Sequence, residues 1–178
     1  NLIHLTGMEK GLKNQYQNAT NISSRINLHS LYSQNKQGWF PWILSNAGLT
    51  GLRILELGCG DGTLWTDNLS LLPEDISITL SDISSGMLRD ARRAIGSSDT
   101  RFAFRAFDAE NPLQGRKLDL VIANHVLFYC DDIPSVLKEV RRVLAPAEDF
   151  SAVLTEGNMQ EVSQLVQDLS ERIVLFRR

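Results

Sequence analysis

The chain has 178 residues, 43% of them hydrophobic, with 18 Lys and Arg against 21 Asp and Glu and a formal net charge of -3. That length suits one domain, 1–178, which buries about 70% of the surface its unfolded form exposes and needs no staple to hold it. The acidic balance offers no electrostatic footprint for a polyanion, which weighs against nucleic acid as a partner.

The chain opens on Asn1, and Leu2 to Lys13 has no apolar signal-peptide core, the look of a trimmed start or a missing leader. Asn14 to Leu31 then carries Ile22, Ile26 and His29 in helical register, and Trp39, Phe40, Pro41 and Trp42 follow. Residues 1–48 therefore read as a helical N-terminal lid, too aromatic for a solvated tail, folding over the carboxyl edge of the strands behind it. Trp39 and Trp42 read first as packing residues, and second as an aromatic face for a cation.

From Arg53 onward the order reads β-α-β-α-β-β-α-β, with strands near Arg53 to Leu57, Ile76 to Ser81, Arg101 to Ala106, Leu118 to Ala123 and Phe150 to Leu154. Between them Met87, Leu88, Ala91, Ala94 and Ile95 recur at helical spacing, as do Ile133, Val136, Leu137, Val140, Val143 and Leu144. Asp132 is the expected N-cap of the second helix, Pro134 falls in its first turn, and Pro146 is expected to stop it. A last helix is expected over Met159 to Ser170. The alternation makes the fold α/β, a Rossmann-like, doubly wound, mostly parallel sheet with helices on both faces.

Ile54 to Gly62, reading Ile-Leu-Glu-Leu-Gly-Cys-Gly-Asp-Gly, is the most informative stretch. A short apolar run ending in alternating glycines reads as a buried strand that feeds a tight turn and a helix, the start of a nucleotide-type site. Gly58, Gly60 and Gly62 let the backbone turn sharply and let a ligand lie directly on it. A nicotinamide site wants Gly-x-Gly-x-x-Gly under a pyrophosphate, whereas here the spacing is Gly-x-Gly-x-Gly with Glu56 just ahead. An acid there repels a pyrophosphate and suits an ammonium group. The stretch resembles the first motif of class I S-adenosylmethionine-dependent methyltransferases, and Leu118 to Tyr129 resembles the fourth-strand motif of their small-molecule, ubiquinone-biosynthesis-like group.

The resemblance continues at three further stations and covers about residues 53–146. It implies S-adenosylmethionine as cofactor, S-adenosylhomocysteine as product, and in-line methyl transfer to a small molecule. It places Glu56, Gly58, Cys59, Gly60 and Asn124 around the methionyl end, and Asp82 on the ribose hydroxyls. Ile83 and Met87 lie against adenine, and Asp108 with the Ala109 N–H at the adenine edge. Cys59 is read as a small buried filler rather than a reactive thiol. His125, at the end of the Leu118-to-Tyr129 motif, is the candidate base against a pocket-shaping role, and Tyr129 is the second candidate. Asn124 is followed by His125, Val126 and Leu127 instead of the Pro-Pro-aromatic run of enzymes that methylate nucleic-acid bases. No carboxylate cluster resembles a methyltransferase metal site, so no metal is expected.

Two rivals remain: an NAD-dependent oxidoreductase, and a non-catalytic S-adenosylmethionine-binding module that works through a partner protein. The family closes its sheet with two further antiparallel strands, whereas here only Ile173 to Phe176 precedes Arg177 and Arg178. Residues 147–178 therefore read as an incomplete C-terminal part. The expected consequence is an unpaired edge on the fifth strand, covered by absent residues or by a partner chain such as a second copy. Leu118 to Cys130, the most apolar segment, contains Asp119 and falls short of the ~20 residues of a membrane helix, so no membrane is expected. Cys59 and Cys130 match no metal or redox spacing and point to a cytoplasmic setting. Sequons at Asn18, Asn21 and Asn68 read as coincidence without an export signal.

Overall fold

A computed structural model describes residues 51–111, 117–124, 126–154 and 173–177. Six strands form one sheet in the order β3-β2-β1-β4-β5-β6: β1 Arg53–Leu57, β2 Ser77–Asp82, β3 Phe102–Ala106, β4 Leu118–Asn124, β5 Leu144–Leu154 and β6 Ile173–Arg177. Every pairing is parallel. The helices are α1 Thr63–Thr66, α2 Ser85–Ile95 and α3 Ile133–Val143, with short 3-10 turns η1 Leu69–Leu71 and η2 Leu127–Tyr129. Among the described residues no helix is long and apolar enough to cross a membrane.

The central strands are apolar along their length because they are covered on both faces. Alternation along β1 divides the core. Leu55 and Leu57 join Val121 and Ala123 of β4 and Val136, Leu137, Val140 and Val143 of α3. Ile54 instead joins Ile78 and Leu80 of β2, Leu120 and Ile122 of β4, Trp65 of α1, and Leu88 and Ile95 of α2. Successive side chains on a strand point to opposite faces, so α3 covers one side of the sheet and α1 with α2 the other. In register, Glu56 stands beside Leu80 and Ile122, which brings the carboxyl ends of β1, β2 and β4 together.

Both main helices are capped as their sequences ask. Asp132 accepts from the Ser135 N–H at 3.1 Å and the Ser135 hydroxyl at 2.7 Å, with proline at the first turn of α3. Ser84 caps α2 by accepting from the Met87 N–H at 3.3 Å. Ala94 does not join the apolar face predicted for it and lies exposed.

Two expectations at the C-terminal side are corrected. Pro146 does not stop α3, because the helix ends at Val143 and Leu144 is already extended, at φ -67 and ψ 140. The strand predicted from Phe150 thus starts at Leu144. Leu118 pairs with Leu144 but Leu120 with Asp149, so β5 carries an irregularity across the segment that holds Pro146, where a missing N–H is tolerated. The edge of β5 is also not left open. β6 pairs with it in parallel from Phe150↔Ile173 to Leu154↔Arg177, and the strand beyond β5 is thus parallel rather than antiparallel. The predicted lid of residues 1–48 and the helix over Met159 to Ser170 lie outside the described residues.

Candidate functional site

The sheet order reverses between β1 and β4, and in open parallel sheets the crevice beyond the carboxyl ends at that point is where ligands bind. The chain leaves β1 through Gly58, at φ 66, and Gly60, at φ 57, both left-handed conformations that side chains resist. The two glycines serve different ends. A Cβ on Gly58 would stand 2.6 Å from Val126 Cγ2, so there the turn packs on the segment that follows β4. Among the described residues a Cβ on Gly60 would meet nothing within 4 Å, so there that stretch of backbone borders open space.

The turn is tied to β2. The Cys59 N–H donates to the Ser81 carbonyl at 2.9 Å, and the Gly60 N–H donates to Asp82 Oδ2 at 3.0 Å. Asp82 Oδ1 accepts from the Ser84 N–H at 2.8 Å. Burial pushes the Asp82 carboxyl up, and the N–H groups of Ser84 and Gly60 draw it part of the way back. Beside it, Ile83 is 70% exposed, a large apolar side chain at the rim of the crevice, while Met87 one turn into α2 is buried.

Glu56 is only 2% exposed, and its Oε2 accepts from the Trp65 indole N–H at 2.6 Å. Burial is the largest influence and pushes its carboxyl up to about 7; Trp65 works against that, and the charges of Asp82 and Asp61 add to it. Burial, then Glu56 and Asp82, push the Cys59 thiol far above its ordinary range, which keeps it protonated and unreactive. The filler reading of Cys59 fits this.

At the end of β4, the Asn124 Oδ1 is buried and has no hydrogen-bond partner among the described residues. A buried polar atom without a partner is costly and marks a place where a donor is still to come. The end of β3 is tied to β2 by the Phe107 N–H, which donates to the Asp82 carbonyl at 3.3 Å. Asp108 Oδ1 accepts from the Glu110 N–H at 3.0 Å, so Asp108 shapes its own turn, with Ala109 half-buried beside it. Tyr129 sits on η2, 41% exposed. His125 lies outside the described residues, as do Trp39 and Trp42.

Glu56, Gly58, Cys59, Gly60, Asp82, Ile83 and Asn124 thus converge on the carboxyl edge of three neighbouring strands, and Asp108 and Ala109 follow the next strand outward. Sequence reasoning did not find Trp65, the donor to Glu56. The available signal was a tryptophan one turn past a glycine turn, on a helix too short to display a period. It also missed the Ser81 hydroxyl, which donates to the Glu56 carbonyl at 2.7 Å and locks β2 to β1.

The strand order matches that of dinucleotide-binding folds, so topology alone does not choose the ligand. The donor set does. Two carboxylates and an unmatched amide oxygen suit a ligand that brings an ammonium and hydroxyls, and they oppose a pyrophosphate. Asn68, in one of the sequons, is buried and donates from Nδ2 to the Leu64 carbonyl at 3.2 Å, which leaves no place for a glycan.

A family model described as a methyltransferase domain matches residues 55–147. A polyketide synthase-nonribosomal peptide synthetase of Pyricularia oryzae is 29% identical over 143 residues, which are 72% of this chain and 4% of that protein. A malonyl-[acyl-carrier protein] O-methyltransferase of Priestia megaterium is 27% identical over 126 residues, 70% of this chain and 45% of that one. A crystal structure of an S-adenosylmethionine-dependent methyltransferase from Mesorhizobium loti superposes with a TM-score of 0.53 at 27% identity, covering 62% of this chain and 48% of that one. The matched region spans less than half the length of each of these three relatives.

Proposed function

The chain belongs to the methyltransferase-domain family, and from that premise we propose that it is an S-adenosylmethionine-dependent methyltransferase acting on a small-molecule acceptor. The observation that carries the reading is that the open backbone at Gly60, an Asn124 Oδ1 without a partner among the described residues, and the acids Glu56 and Asp82 all stand at the carboxyl ends of the neighbouring strands β1, β2 and β4. Glu56 holds the ammonium, Asp82 the ribose hydroxyls, and Asn124 Oδ1 accepts a donor at the methionyl end. The backbone of Gly58, Cys59 and Gly60 forms the floor. Ile83, exposed at the rim, covers one adenine face with Met87 behind it, while Asp108 and the Ala109 N–H address the adenine edge.

When bound, the cofactor supplies a methyl group on a sulfonium, a carbon that already bears an excellent leaving group. The protein's part is then chiefly alignment, which can supply ~7 to 11 kcal/mol of a barrier. A base is needed only for an acceptor that must lose a proton, such as a hydroxyl or an acidic carbon, and His125 is the residue proposed for it, with Tyr129 second. The malonyl-[acyl-carrier protein] named for the Priestia megaterium relative makes acyl groups the first acceptors to try.

Calorimetry with S-adenosylmethionine, S-adenosylhomocysteine and NAD tests the cofactor directly. Both adenosyl compounds are expected to bind and NAD to fail. Tight NAD binding with neither of the others would return the site to the oxidoreductase reading.

A further inference from the structure

To hold an ammonium group, Glu56 must be charged, yet almost everything around it opposes charge. It is 2% exposed, and the charged groups that act on it, Asp82 at the end of β2 and Asp61 in the turn, are both acidic. The Cys59 thiol beside it stays neutral, and β4 brings the neutral Asn124 to the same edge. Among the described residues, no Lys or Arg is ion-paired with it. The Trp65 indole N–H, at 2.6 Å, is the side-chain donor that favours the charged form.

The chemistry of that donor matters. An indole N–H donates and cannot accept, so it rewards a carboxylate and offers nothing to the proton of the neutral acid. Trp65 is also held in place: it is 1% exposed and packs edge-on against Phe102, with ring centroids 6.0 Å apart and planes at 76°. Core packing alone would be served as well by phenylalanine. We propose that Trp65 is a positioning residue for cofactor binding, its indole N–H keeping the Glu56 carboxylate charged and fixed where the cofactor's ammonium is held.

The inference rests on the S-adenosylmethionine reading of the site, so its test carries one measurement without ligand. Trp65→Phe keeps the aromatic packing and removes the N–H; a benzothienylalanine at position 65, isosteric with tryptophan, does the same if the phenylalanine variant folds poorly. In ligand-free protein with 13C-labelled glutamate, the Glu56 titration midpoint, about 7 in the wild type, is expected to rise by at least about one pH unit in either variant. By calorimetry, affinity for S-adenosylmethionine near neutral pH is expected to fall about five- to tenfold, with the deficit shrinking toward pH ~8 as Glu56 ionises. In a Glu56→Gln background, removing the indole N–H should no longer alter the pH dependence.

An unmoved Glu56 midpoint overturns the proposal. So does a binding loss equal at every pH, which is what a purely structural tryptophan would give. A wild type that binds no S-adenosylmethionine at any pH, with the Glu56 midpoint shifting as expected, overturns the cofactor reading and with it this role of Trp65, and that failure is separate from the first.

Discussion

The two ends of the parallel sheet are both lined with acids and treat them oppositely. At the amino end, Asp119 of β4 accepts from Arg53 of β1 three times, from its backbone N–H, Nε and Nη2, each at 2.8 Å. Nearby, Arg101 spans Asp99 and the carbonyls of Leu72 and Leu69. Their guanidinium partners hold both Asp119 and Asp99 below the usual carboxylate range. At the carboxyl end, Glu56 and Asp82 have only neutral donors among the described residues, burial pushes both upward, and Asn124 Oδ1 has no partner among those residues. One end is electrostatically complete. The other holds acids that burial pushes up and that no cation among the described residues answers, and perturbed groups of that kind cluster at binding sites more than in scaffolding.

If that contrast is sound, changes at the carboxyl end should injure ligand binding more than folding, and Gly58 is where it should break most visibly. Gly58→Ala puts a Cβ 2.6 Å from Val126 Cγ2 and 2.8 Å from its Cβ, at a φ of 66. The clash and the left-handed backbone together should cost roughly 2 to 5 kcal/mol of stability, read from urea unfolding. Gly60→Ala has the same backbone handedness but open space. It should cost about 1 to 2 kcal/mol of stability while weakening S-adenosylmethionine at least about tenfold, because the methyl enters the crevice. Similar stability losses for the two variants would remove the distinction between the packed and the open glycine.

The next test inverts the usual direction of a mutation. The folded-state value of Glu56, about 7, lies above its ordinary value of 4.5, so the folded protein binds its proton more readily than the unfolded chain does. The penalty is therefore absent below about 4.5, grows as pH rises, and is complete above about 7. Glu56→Gln should stabilise the ligand-free protein by about 3 kcal/mol at pH ~8 and by little at pH ~4.5, in urea titrations at both pH values. The same variant should bind S-adenosylmethionine more weakly. A residue that destabilises the fold and improves binding is the strongest form of the contrast between the ends, and a destabilising Glu56→Gln would erase it.

How much of this the chain discloses depends on whether a signal is local. β1, β2 and β4 were legible because a strand buried on both faces must be apolar along its length, and Asp132 with Pro134 marked the start of α3 without further help. The glycine turn and Asp82 were legible for the same local reason, an acid at each strand end. The start of β5 was not, since Pro146 and the Ala147-Glu148-Asp149 run read as a loop, and only the altered register against β4 makes room for them in a strand. Parallel pairing of β6 was hidden too, because it joins Ile173 to Phe150 across 23 positions of chain and leaves no local mark. Trp65 was lost to the opposite difficulty, a four-residue helix that shows no periodicity.

Asp82 sharpens the comparison by a smaller margin, because its carboxylate also builds the turn through the Gly60 and Ser84 N–H groups. Asp82→Asn retains one acceptor oxygen and the side-chain volume, so most of the turn should survive. Loss of the charge-assisted bonds should lower cofactor affinity by about 1.5 to 3 kcal/mol, by calorimetry at constant pH. Unchanged affinity would take Asp82 out of the site.

The smallest effect should come from the complete end. Arg53 is 43% exposed, so water screens its pair with Asp119, and Arg53→Met should cost only about 1 kcal/mol, with no change in S-adenosylmethionine affinity. Its value lies in sign. The Asp119 carboxyl is held down by Arg53, first through the side-chain hydrogen bonds, so its contribution is present at neutral pH and is lost as pH falls through its folded-state value. Glu56 behaves in reverse, its penalty fading on acidification. Stability differences between wild type and Arg53→Met should therefore shrink toward low pH, and those between wild type and Glu56→Gln should also shrink but from the opposite sign, because one end loses a partner and the other loses a burden. Two curves of the same sign would mean that the acids at both ends are held by the fold in the same way.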